Sequence, residues 1–138
     1  MKNNFFVFDT NVLVSANLFP RSIPAQALRK AQNLGFIIFS IDTFNEFSSV
    51  LQREKFNKYL PLADRKIILN TFVKYERIVF CENNINICSD PKDNMFLSLA
   101  LECQANCIVS GDKHLLELHP FEHIPILTPA DFTTHFII

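Results

Sequence analysis

Phe5-Phe6-Val7-Phe8-Asp9 sets a four-residue apolar run directly before a carboxylate, and Cys107-Ile108-Val109-Ser110-Gly111-Asp112 repeats the arrangement. Runs this short, bounded by polar residues, read as buried strands. Asp9 and Asp112 then stand at the carboxyl ends of strands, where open α/β sheets place their ligand crevice. Carboxylates gathered there repel one another unless protons or a cation intervene, which suggests a divalent metal site.

Working outward, apolar blocks of strand type alternate with helical ones. Ser22-Ile23-Pro24 opens a helix to about Leu34, with Pro in the first turn and Gly35 as its stop. Phe36–Phe39 is strand two. Ser40 caps a helix reaching about Arg53, with Phe44, Phe47, Val50 and Leu51 on one face. Tyr59-Leu60-Pro61 breaks it. Asp64 caps the next helix, with Ile67, Ile68, Phe72 and Tyr75 turned inward, and Ile78–Phe80 is strand three. Residues 81–89 read as a loop with a short extended piece at Ile85–Cys88. A helix spans Pro91–Gln104, strand four Cys107–Ser110, a short helix Lys113–Leu118 and strand five Ile124–Leu127. Thr128-Pro129 opens a last helix. This alternation argues for an α/β fold, a parallel sheet with helices on both faces.

The 138 residues suit one domain, 1–138. Fifteen Phe supply a substantial core, and two Gly leave no room for a Gly-rich phosphate loop or a dinucleotide fingerprint. The net charge of -1 gives no general pull toward nucleic acid. Residues 52–66 are locally basic, with Arg53, Lys55, Lys58, Arg65 and Lys66; the ordinary reading is a solvated helix face. The apolar run after Lys2 is too short for a signal peptide, and no stretch is long enough to span a membrane. A cytoplasmic protein with reduced cysteines is expected.

Five acids stand out: Asp9, Glu46, Asp90, Asp93 and Asp112. Each also has an ordinary structural use. Asp9-Thr10-Asn11 suits a turn or a helix cap. In Asp90-Pro91-Lys92-Asp93 the first acid can be an N-cap and Asp93 its capping-box partner, a punctuation that Thr128-Pro129-Ala130-Asp131 repeats. Glu46 lies inside a helix, facing either solvent or the sheet edge. Asp42 is its rival, more suited to capping. Gly111 is read as permitting a tight turn before Asp112.

Together the acids and their neighbours resemble the PIN domain, and within it the toxin-like branch of toxin–antitoxin ribonucleases. The matching residues are Phe8-Asp9-Thr10-Asn11-Val12-Leu13-Val14-Ser15, Glu46 with Val50-Leu51, and Ser89-Asp90-Pro91-Lys92-Asp93-Asn94-Met95-Phe96-Leu97 with Ala100-Leu101. Ile108-Val109-Ser110-Gly111-Asp112-Lys113-His114-Leu115-Leu116 and Ile126–Phe132 complete the set. The resemblance implies a three-layer α/β/α sandwich whose parallel five-stranded sheet has the order 3-2-1-4-5. It implies metal ligation and catalysis by Asp9, Glu46, Asp93 and Asp112, with Asp90 as an accessory acid and Thr10 and Asn11 ordering the first carboxylate. The implied activity is an endoribonuclease dependent on Mg²⁺ or Mn²⁺, ions that take oxygen ligands. The implied partners are an RNA substrate, a cognate antitoxin and a second copy of the chain.

Three other readings compete. An aspartyl-phosphate phosphohydrolase would want a second Asp two residues after the first, where Asn11 stands and cannot protonate a leaving group. A PIN-like RNA- or protein-binding module that has lost catalysis is the non-enzyme alternative; the presence of all four acids argues against it. Cys103, Cys107, His119 and His123 nearly scan as a zinc site. Pro120 separates the histidines, and the cysteines fall in apolar elements, so this reading is rejected.

Overall fold

The computed structural model describes residues 4–138; Met1–Asn3, and the reading of Lys2 with them, lie outside the described residues. Phe5–Phe8 sits within strand β1 (Asn4–Phe8). Its side chains alternate between two buried layers, as a strand period of two requires. Phe6 and Phe8 face one core with Ile37, Phe39, Phe47 and Phe132, while Val7 faces the other with Ile38, Leu97, Ile108 and Leu115.

β1 is the centre of a parallel sheet. It pairs with β2 (Gly35–Phe39) on one side and β4 (Cys107–Val109) on the other. β3 (Arg77–Ile78) and β5 (Ile126–Leu127) form the edges, giving the order 3-2-1-4-5. Helices α2 (Ile23–Leu34), α3 (Ile41–Leu51), α4 (Leu62–Tyr75), α5 (Asn94–Cys103), α6 (Lys113–Leu116) and α7 (Pro129–His135) cover both faces. Phe132 of α7 packs edge-on against Phe6 and Phe8. Among the described residues no helix is long and apolar enough to cross a membrane.

Several expectations change. A helix missing from the sequence reading, α1 (Thr10–Leu18), follows β1 directly, with Asp9 as its N-cap. Its apolar residues crowd all round and leave no polar stripe, because Val12, Leu13, Val14, Ala16 and Leu18 are all buried. α4 begins at Leu62 after Pro61, so Asp64 is in its first turn and caps nothing. Its inner face is Arg65, Leu69 and Phe72; Ile67 and Tyr75 are exposed. Arg65 therefore leaves the solvated basic face and is fully buried. The 85–88 segment forms no strand, β3 stops at Ile78, and Ile124 only bridges Phe121.

Gly35 also acts differently. Its φ of -177° is extended, so no left-handed stop is needed. What requires glycine is β1: a Cβ there would stand 2.0 Å from the Asn4 carbonyl oxygen.

Candidate metal centre

Three strand or loop ends deliver acids to the same place. Asp9 leaves β1 and caps α1, Asp112 follows β4 and caps α6, and Asp90 caps the 3₁₀ turn Pro91–Asp93 ahead of α5. Caps and ion ligands are compatible here, since helix N-termini favour negative charge. Glu46 comes from the second turn of α3. Asp9, Glu46, Asp90, Asp93 and Asp112 line one pocket at the carboxyl edge of the sheet, with Thr10, Asn11, Arg53 and Lys92. The rival Asp42 is exposed and lines a different groove, toward Cys81.

Asp93 is the acid whose structural explanation fails. It stands at the N-cap position of α5, but with helical backbone angles, and its carboxylate accepts no backbone N–H. Asp93 is buried, and no donor faces its Oδ2. Burial first, then contact with the Asp112 carboxyl and the charges of Asp112, Asp90 and Asp9, push it up to about 7. A shared proton, a water or a cation would satisfy such an oxygen. Carboxylate oxygens of Asp90, Asp93 and Asp112 lie within 4.8 Å of one another, and Asp93 and Asp112 supply two of the expected ligands. Asp90, read as accessory, is the third member of this tight group. The donors are all oxygen, which suits a hard cation such as Mg²⁺ or Mn²⁺.

Asp9 and Glu46 line the same pocket outside that tight group. Asp9 accepts from Val12 N at 2.9 Å on Oδ1, and from the Ser110 hydroxyl and Gly111 N on Oδ2. Burial nonetheless raises its pKa, with those donors opposing. Thr10 donates its hydroxyl to Glu46 Oε2, so it orders Glu46 rather than the first carboxylate. Asn11 lines the pocket as an exposed residue.

Ser110 was not singled out as a site residue, yet it ties the centre together. It donates to Asp9 and accepts from Asp112 N at 2.9 Å. Its signal was a hydroxyl inside an apolar run, where a buried polar group needs partners on both sides. Gly111 has no positive φ, and a Cβ there would meet nothing within 4 Å, so the turn does not demand glycine. Arg53 and Lys92 on the pocket wall were likewise missed. Only their opposite charge, in a site otherwise built of acids, could have marked them.

The Cys-His set is engaged elsewhere. His119 Nδ1 accepts from Ile126 N at 2.9 Å, and burial pushes Cys103 up to about 11 and Cys107 up to about 12.

Comparisons with known proteins agree with this architecture. The family model described as PIN domain matches residues 6–114. An uncharacterized protein of Methanocaldococcus jannaschii is 31% identical over 147 residues, covering 94% of this chain and 90% of its own. The crystal structure of VapBC2 from Rickettsia felis, bound to a DNA fragment from their promoter, is similar in fold. Its TM-score is 0.58 at 13% identity, over 88% of this chain and 96% of that one. With the family model spanning most of its length, the chain belongs to the PIN domain family.

Proposed function

We propose that this protein is a divalent-metal-dependent endoribonuclease, a single PIN-like domain over residues 1–138. The observation that carries the reading is the buried, donorless Oδ2 of Asp93 beside Asp90 and Asp112. PIN domains are generally nucleases, which supports hydrolysis of a phosphodiester. Asp93, Asp112 and Asp90 would hold Mg²⁺ or Mn²⁺, with Asp9 and Glu46 behind them. When bound, the ion offsets the negative charge that develops on the phosphate during displacement. The residues themselves orient and hold. Ser110 and Gly111 fix Asp9, and Thr10 holds Glu46 by one oxygen, leaving the other to accept a hydrogen bond from water. No histidine base is required, since a carboxylate can take that proton.

The further reading is a cytoplasmic toxin with a cognate antitoxin and a homodimeric state. It rests on the resemblance in sequence and on the likeness in fold to VapBC2. The test of the core reading is cleavage of a mixed single-stranded and structured RNA panel with Mg²⁺ or Mn²⁺. Wild type should cut and a chelator should stop it. Asp93→Asn should lose activity by orders of magnitude while remaining folded by circular dichroism. A folded wild type that cuts nothing with either ion would leave the binding-module reading in its place.

A further inference from the structure

Two cations face the acid pocket without being neutralised by it. Arg53 and Lys92 line the same cavity as the five carboxylates. Among the described residues, neither side chain is hydrogen-bonded, ion-paired or stacked on a ring. Both residues are exposed. Cations left unpaired beside that many acids remain available to another anion.

Arg53 is held by an unusual device. Arg65 of α4 is fully buried, and its partners are neutral oxygens. Its Nη1 donates to the Leu51 carbonyl at 2.7 Å and to the Arg53 carbonyl at 3.1 Å, and its Nε donates to the Leu60 carbonyl at 2.9 Å. The Asn57 side chain accepts from Nη2. The guanidinium thus gathers the end of α3 and the turn after it, where unsatisfied helix carbonyls attract positive charge. A buried cation without a carboxylate is costly, and these four hydrogen bonds offset that cost while tying the segment together. Arg53 leaves that segment toward the pocket, and Lys92 stands between Asp90 and Asp93.

We propose that Arg53, held in place by buried Arg65, and Lys92 form a two-point clamp for backbone phosphates of a single-stranded RNA crossing the acid pocket. The inference rests on the nuclease reading for the identity of its ligand. The physical need is plain. A chain with net charge -1 and five acids in one pocket repels a polyanion, and a divalent ion alone offsets two charges. A point cation and a planar fork on the pocket wall supply the missing attraction while leaving the carboxylates to the ion. Arg65 is a positioning residue in this account; it touches no RNA.

The experiment measures binding apart from cleavage. Fluorescence anisotropy follows a labelled 12-nucleotide single-stranded RNA on an Asp112→Asn background with Mg²⁺, across a salt series. Arg53→Ala and Lys92→Ala should each weaken binding roughly threefold to tenfold at low salt. Each should also lower the slope of log affinity against log salt by about 0.7, one phosphate contact on a single strand. Arg53→Lys should keep most of the slope, and Lys74→Ala on α4 should change nothing. In the active protein the same alanine variants should raise KM more than they lower kcat. Unchanged slopes, or no RNA binding by the parent, overturn the clamp. Lost slopes with a wild type that cleaves nothing keep the clamp and sink the nuclease reading. Unchanged slopes with normal cleavage do the reverse. Arg65→Met is expected to lower the melting temperature, so it serves as a check on the staple and not on the clamp.

Discussion

Asp93, pushed up to about 7 against an ordinary 3.8, turns the usual pH dependence of an aspartate around. The folded chain holds that proton more tightly than the unfolded one. Its contribution to stability is complete below about pH 4 and is lost as pH rises through about 7. Buried Asp9 shifts in the same direction. In chelator, the melting temperature is therefore expected to fall across that window, by calorimetry or circular dichroism. Asp93→Asn should flatten the fall and stabilise the metal-free protein at pH 8 by at least about 1 kcal/mol. Adding Mn²⁺ at pH 8 should raise the melting temperature of wild type and not of Asp93→Asn. A wild type that gains stability with pH under chelator would contradict the arrangement. Asp9→Asn is a less clean probe than it looks in the sequence, because both oxygens of Asp9 accept hydrogen bonds. An amide turns one of them into a donor facing a donor, at about 1–3 kcal/mol. The acids themselves were legible from strand ends and motif. Which of them are tied up by donors, and that Asp93 is not, depends on the 3₁₀ turn, which no local signal announced.

At the scale of elements, caps were read well where a side chain bonds its own helix. Ser22, Ser40 and Thr128 all accept the expected N–H. Thr128→Ala should cost about 1 kcal/mol, whereas Asp131→Asn should cost less, because Asp131 contributes its backbone N–H to that cap. Neither should alter the proposed RNA cleavage, and equal melting temperatures for Thr128→Ala and wild type would count against the cap. The reading failed where packing chose the face. α4 turns Arg65 inward and leaves Ile67 and Tyr75 in water, because carbonyls at the end of α3 and in the turn after it wait for a cation there. Apolar periodicity says nothing about that demand. Gly35 was legible as special and misread in cause. Gly35→Ala drives a Cβ into the Asn4 carbonyl and should destabilise by more than about 2 kcal/mol, far beyond a lost helix stop. Urea denaturation measures it, and a loss under 1 kcal/mol would show that β1 and β2 can part cheaply.

Across the whole molecule, the strand order followed from family resemblance, and the alternation of strand and helix supported it. Periodicity alone could not say that β1 lies at the centre; the pairing of Phe6 with Cys107 and of Asn4 with Gly35 does. The last helix is a structural member of the core. Phe132 is fully buried against Phe6, Phe8 and Phe136, and the Lys30 ammonium donates to the carbonyls of Phe132, Thr133 and Phe136. Phe132→Ala should cost about 3–5 kcal/mol by chemical denaturation, the range for emptying a buried aromatic site. A loss below 1 kcal/mol would mean that α7 is dispensable.

The hydrogen bond from Ser110 to Asp9 joins positions 101 residues apart, and it has a consequence in time. A ribosome releases Asp9 early and Asp112 late. Until β4 emerges and slots beside β1, Asp9 lacks two of its three donors, Ser110 and Gly111, and Asp90 and Asp93 lack Asp112. Nascent chains cut short before Ser110 therefore carry most of the sheet and no assembled centre. Long-range pairing of this kind closes slowly compared with local helices. On the proposed nuclease reading, a chain still being made has no assembled centre with which to cut its own message.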